Sequence, residues 1–99
     1  MREQVSRARR RQTERFTRGK TRYNAAMPHR EVRQFCPLNA EATNILKAAM
    51  SDMGLSARAH DKILRVARTI ADLDDSDQIQ PMHLNEAVNY RMLDRQLWT

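Results

Sequence analysis

Two glycines and three prolines are spread over 99 residues. That is too little turn chemistry for a β architecture that must reverse every few residues, and it favours helices. Cys36 is the only cysteine, which excludes an internal disulfide and any multi-cysteine metal site, and it reads as an ordinary reduced thiol. His29, His60 and His83 are scattered with no ligand spacing, which argues against zinc or another bound metal. No apolar run approaches the roughly 18 residues of a membrane span, and the start, MREQVSRARR, has charge but no apolar stretch behind it, unlike a signal peptide. The expectation is a soluble, cytoplasmic chain with no membrane partner. At 40% hydrophobic content the length supports one core and not two.

What the chain does have is basic charge, unevenly placed. Residues 1–22 hold nine Lys or Arg against Glu3 and Glu14, a balance of +7, whereas residues 23–99 hold nine against ten acids, a balance of −1. The whole excess therefore sits in a basic N-terminal segment, residues 1–22, which is expected to pack with residues 23–99 as one domain. Within it, Arg7, Arg9, Arg10, Arg11 and Arg15 are candidate contacts for the phosphates of DNA. A solvated helix face is the equally plain alternative, because no aromatic ladder for base stacking accompanies them and Phe16 alone is no platform.

Four segments carry helical periodicity. The first, about Glu3 to Thr17, has a thin stripe of Val5, Ala8, Gln12 and Phe16 and needs a partner surface. An irregular polar connection from about Arg18 to Pro37 follows, in which Tyr23 to Met27 can form a turn or two of helix. The second helix spans about Asn39 to Met53, with Asn39 as N-cap and a face of Leu38, Ala42, Ile45, Leu46, Ala49 and Met53, and Gly54 ends it. Ser56 caps the third, whose core stripe is Ile63, Val66, Ala67 and Ile70 with Leu73 one turn on. The pairs Asp61 with Arg65 and Arg68 with Asp72 are placed on its wet side, although the stem of Arg68 sits close enough to the apolar face to pack inward. Pro81 opens a fourth helix, carried by Leu84, Ala87, Val88 and Met92 to about Leu97, on which His83, Glu86 and Tyr90 share a side and read as structural. The fold class is all-α.

Arg58 does not fit this scheme. Counted from Ser56 it is the second helical residue, where the free N–H groups and the helix dipole make a positive field that disfavours a cation. A solvated surface arginine there costs a few tenths of a kcal/mol at most and is the plainer reading. The alternative is an anion site, since a helix N-terminus beside a guanidinium fork suits a phosphate oxygen.

The run GLSARAHDKILRVARTIADL, followed by IQPMHLNEAVNYRMLD, resembles the C-terminal helical domain of magnesium-chelatase-like AAA+ ATPases, in particular the ComM/YifB competence-associated group. Upstream, Arg11-Gln12, Arg15-Phe16, Asn24-Ala25 and Cys36-Pro37-Leu38 resemble the start of the same domain, so the likeness spans almost the entire sequence. The resemblance implies a four-helix lid-type bundle. It implies that Arg58 is the sensor 2 residue, directed at the γ-phosphate of ATP. It also implies a parent that binds ATP and Mg2+, forms a homo-oligomeric ring with its own AAA+ core and moves DNA. The sequence departs from such a parent in one respect: with Gly19 and Gly54 its only glycines, it cannot form a G-x-x-x-x-G-K-[ST] phosphate loop. No apolar strand ending in paired acids is present to hold magnesium either. The expectation is a lid without its ATPase core, not an enzyme by itself and without catalytic residues in isolation. The competing class is a stand-alone basic helical DNA-binding module, against which the near-neutral charge of residues 23–99 counts.

Overall fold

The computed structural model describes the backbone of residues 2–17 and 21–98 and the side chains of residues 2–17 and 21–90. The charges expected of Arg18 and Lys20, and the apolar position expected of Met92, lie outside the described residues. Among the described residues five α-helices run in order: α1 (Arg2–Arg15), α2 (His29–Phe35), α3 (Ala40–Met53), α4 (Ala57–Leu73) and α5 (Pro81–Trp98), with a 3-10 turn at Asn24–Ala26 between the first two. Among the described residues the fold is all-α; the one isolated bridge, parallel between Leu38 and Ile79, ties together the segments that lead into α3 and α5.

Helix α2 is the departure from the four segments expected. Pro28, with φ −71° and ψ 166°, stands at its N-cap in the extended geometry a cap needs, and Val32 is its buried anchor. Seven residues are too few for periodicity to reveal a helix, and a helix this short owes its stability to packing rather than to propensity. It lies against α4, with Phe35 meeting Phe16 edge-on at 5.4 Å between ring centroids.

The other boundaries follow from local chemistry. The Asn39 side chain accepts from the Ala42 N–H at 2.8 Å and starts α3. Gly54 ends α3 in the left-handed region at φ 60°, where a Cβ would be strained. Ser56 accepts from the Ala59 N–H at 3.3 Å and starts α4. At α5 the cap is unusual: the Gln80 N–H donates to Nδ1 of His83 at 2.9 Å, so the other ring nitrogen carries the proton and Nε2–H donates to Asp74 Oδ2 at 2.8 Å. His83, 2% exposed, is thus spent on holding the α4–α5 turn.

Helix α4 is the central element, packed by α1, α2, α5 and the 3-10 turn. Its buried face is Ala59, Ile63, Leu64, Ala67, Arg68, Ala71 and Asp72. The expected stripe was centred too far round the helix: Val66, Ile70 and Leu73 are only half-buried, at its edge. Arg68 and Asp72 are a buried pair, Nη2 to Oδ1 at 3.1 Å, and not a surface one. Asp61 is likewise buried and bonded to His29 and His60, while Arg65 donates Nε–H to the Met27 carbonyl at 2.8 Å. The three charges face inward because α1, α2 and the 3-10 turn cover the side of α4 that its own sequence left polar. Met27, Val32, Leu46, Ile79 and Leu84 close the apolar core around it.

Candidate functional site

Arg58, the second residue of α4, is exposed and makes no hydrogen bond or ion pair among the described residues. Helical spacing brings Lys62 and Arg65, four and seven positions on, to the same side. These cations and the half-buried Val66, Ile70 and Leu73 line a groove of about 1070 Å³, walled on its far side by Met82, Glu86 and Tyr90 of α5. The apolar floor is the half-buried edge of the α4 stripe. Met82 is 66% exposed and Tyr90 49%, so this wall presents apolar surface to solvent. Tyr90 Oη donates to Glu86 Oε1 at 3.5 Å on the exposed side of α5.

The chemistry available here is anion recognition. Arg65 spends its Nε–H on the Met27 carbonyl and so is anchored, whereas the Arg58 fork, at the positive end of a helix, has no bond among the described residues. Arg65 and Lys62 add positive field along the same wall.

The five arginines proposed as DNA contacts separate into two sets. Arg7, Arg9 and Arg10 are exposed on α1. Arg11 and Arg15 are half-buried and bonded to other parts of the fold. Arg11 Nη2–H donates to Asp75 Oδ1 at 2.9 Å and Nη1–H to Asp77 Oδ1 at 2.7 Å, across the α4–α5 turn. The Arg11 guanidinium beside Asp77 holds that carboxyl below the usual carboxylate range. Arg15 grips the fully buried Asp72 through Nη1 and Nη2 at 2.8 and 2.7 Å, and Nη1–H also donates to Asn24 Oδ1 at 2.9 Å. Asn24, 1% exposed, in turn donates Nδ2–H to Asp72 Oδ2 at 2.8 Å and to Thr69 Oγ1 at 3.1 Å. Arg68 completes the cluster, donating to the carbonyls of Ser76 and Asp77 at 2.8 and 3.0 Å. This network positions α1 and the α4–α5 turn. No local signal announces the contacts between α1 and the rest, because the bonded partners are up to 66 residues apart; the grouping of Lys62 and Arg65 with Arg58, by contrast, could be read from their spacing.

Residues 1–91 match the family described as magnesium chelatase, subunit ChlI C-terminal. The chain is 44% identical over 97 residues to the YifB protein of Escherichia coli K12, which covers 98% of this chain and 18% of that protein. It is 43% identical over 84 residues to YifB of Salmonella typhimurium LT2, covering 85% of this chain and 17% of that protein. Similarity to the competence protein ComM of Haemophilus influenzae Rd is 43% identity over 74 residues, 75% of this chain and 14% of that protein. The chain thus spans less than a fifth of the length of these curated relatives.

Proposed function

Because this chain belongs to the magnesium chelatase, subunit ChlI C-terminal family, in its YifB- and ComM-like group, we propose that it is the lid domain of a magnesium-chelatase-like AAA+ ATPase and that Arg58 is its sensor 2 arginine. Residues 1–22 and 23–99 act as one domain in this reading. The observation that supports it is the Arg58 fork at the first turn of α4, exposed, without a bond among the described residues, and lining an open groove. The parent's AAA+ core holds ATP and Mg2+ and seats on the groove, and Arg58 binds oxygens of the transferring phosphoryl group, where its charge lowers the barrier. The parent is a cytoplasmic homo-oligomeric ring acting on DNA. The competence role in the name of the Haemophilus relative supports the last step.

Arg58→Ala in the assembled parent tests this assignment. Ser56 stays as cap and Ile63 as core, so the lid should fold as before or slightly better, since a cation leaves the positive end of a helix. Hydrolysis should fall by about one or more orders of magnitude, because arginines on transferring phosphoryl groups are worth about 10³–10⁵ in the strongest cases. Arg58→Lys should rescue only in part, as an ammonium cannot bridge two oxygens. Unchanged steady-state ATPase activity in a properly assembled Arg58→Ala ring would return Arg58 to a solvated surface role. The 99-residue chain alone should hydrolyse no ATP.

A second reading, a basic DNA-binding module, draws on the exposed Arg7, Arg9 and Arg10. It is the weaker reading, since Arg11 and Arg15 are committed to the fold and residues 23–99 carry no net positive charge.

A further inference from the structure

Arg33 on α2 and Lys47 on α3 are cations without local compensation. The helical neighbours of Lys47 at three and four positions are Thr43, Asn44, Met50 and Ser51, and those of Arg33 are His29, Arg30, Cys36 and Pro37, none of them acidic. Both side chains are exposed, and neither makes a hydrogen bond or ion pair among the described residues. Helices α2, α3 and α4 each contribute residues to a second hollow of about 660 Å³, and these two charges stand in its lining. The apolar part of its lining is Val32, Cys36, Leu46 and Leu64, which are buried, with Leu38 and Met50, which are partly so; Thr43, Ser51 and His60 add polar groups.

This hollow is separate from the Arg58 groove. On α4 it uses His60 and Leu64, and His60 lies two residues from both Arg58 and Lys62, roughly 200° round the helix. An occupant can therefore sit here while the other face of α4 meets an ATPase core.

The geometry points to this hollow as a docking site for an acidic amphipathic segment of a partner protein, an apolar helical face flanked by Glu or Asp. Charge complementarity selects that occupant. The apolar lining attracts apolar side chains, and the two cations stand on different helices, so carboxylates on both flanks of one inserted face can pair with them at once. A basic or neutral amphipathic segment would bury the same apolar area without either ion pair, and a basic one would meet repulsion on both flanks. This inference does not rest on the nucleotide role of Arg58.

The test uses the isotope-labelled 99-residue chain and a synthetic helical peptide of about 18 residues, with Leu at alternating three- and four-residue spacing flanked by Glu. Its twin has Lys in place of Glu. Titration followed by NMR and fluorescence anisotropy should show the Glu peptide binding, with the largest shifts at Leu38, Leu46 and Met50, and the Lys peptide binding about tenfold more weakly or not at all. The double variant Arg33→Glu with Lys47→Glu removes no internal bond and should fold normally, lose about tenfold in affinity for the Glu peptide and gain affinity for the Lys peptide. Arg58→Ala should leave both affinities unchanged, which separates this site from the nucleotide-facing one. Four results would overturn the proposal: no binding of the Glu peptide, equal binding of the two peptides, shifts centred on Arg58 and Tyr90, or self-association of the chain through the hollow.

Discussion

Arg15 and Asp72, 57 residues apart in sequence, meet through two parallel N–H to O bonds of 2.8 and 2.7 Å, with the carboxylate wholly buried. The pair joins the end of α1 to the end of α4, and Asn24 and Arg68 use what remains of the carboxylate's acceptor capacity. The basic segment is thereby tied to the body of the domain by hydrogen-bonded charge rather than by apolar area, for Ala8 is the one buried residue that α1 contributes.

Removing one member should therefore destabilise strongly. Asp72→Ala leaves Arg68, 2% exposed, without its charge partner, and should cost about 3–5 kcal/mol. Arg15→Ala should cost less, because Asn24 and Arg68 still bond to Asp72. Urea unfolding of both variants and of the double mutant measures the coupling; an additive double mutant would show that the pair is not a unit.

Asp61 gives the fold an acid-sensitive contact. Burial pushes its pKa up, but hydrogen bonds from His29 at 2.7 Å and His60 at 3.2 Å outweigh that and hold it below the usual carboxylate range. A carboxyl with a lowered folded pKa contributes stability that is present above its unfolded pKa and lost as pH falls through the folded value. Stability should thus decline below about pH 4, and Asp61→Asn should decline less over the same interval. Parallel acid limbs for the two proteins would remove Asp61 from the account.

Cys36 should be nearly inert. Burial pushes its thiol up to about 11, against the pull of the nearby Arg68 and Arg15 charges, and the side chain is 4% exposed. Because the thiolate is the reacting form, labelling by iodoacetamide at pH 8 should be about a hundredfold slower in the folded chain than in urea. Equal rates would place the thiol in solvent.

Nonspecific DNA binding, where it occurs, should depend on Arg7, Arg9 and Arg10. Changing all three to Ala should weaken binding and lower the salt slope by about 0.9 for each phosphate no longer neutralised, with the melting temperature little altered. Arg11→Ala should do the reverse, lowering stability by releasing Asp75 and Asp77 while hardly changing DNA affinity. Salt titration beside thermal melts distinguishes the two sets; an affinity unmoved by the triple change would put any DNA surface elsewhere.

The sequence by itself determined the elements whose causes are local. Asn39, Gly54, Ser56 and Pro81 act within a few residues of themselves, so the limits of α3 and α4 and the start of α5 were legible from cap chemistry and periodicity. The exposed Arg58 at the head of α4 was legible for the same reason, as were the family and the all-α class, because a motif is a local pattern. Tertiary structure alone decided which side of α4 is wet. Arg68 and Asp72 look like a solvent pair at i,i+4 spacing, and the arrival of Arg15 and Asn24 from remote segments makes their burial tolerable, since a buried carboxylate needs more hydrogen bonds than one partner on its own helix supplies. The two do pair within α4, but each has hydrogen-bonding capacity left over, which Arg15, Asn24 and the α4–α5 turn use. Tertiary structure also decided the fate of the basic run. Arg10 and Arg11 are adjacent and chemically identical, yet one faces solvent and the other closes the α4–α5 turn, because a step of about 100° round a helix changes what each side chain can reach.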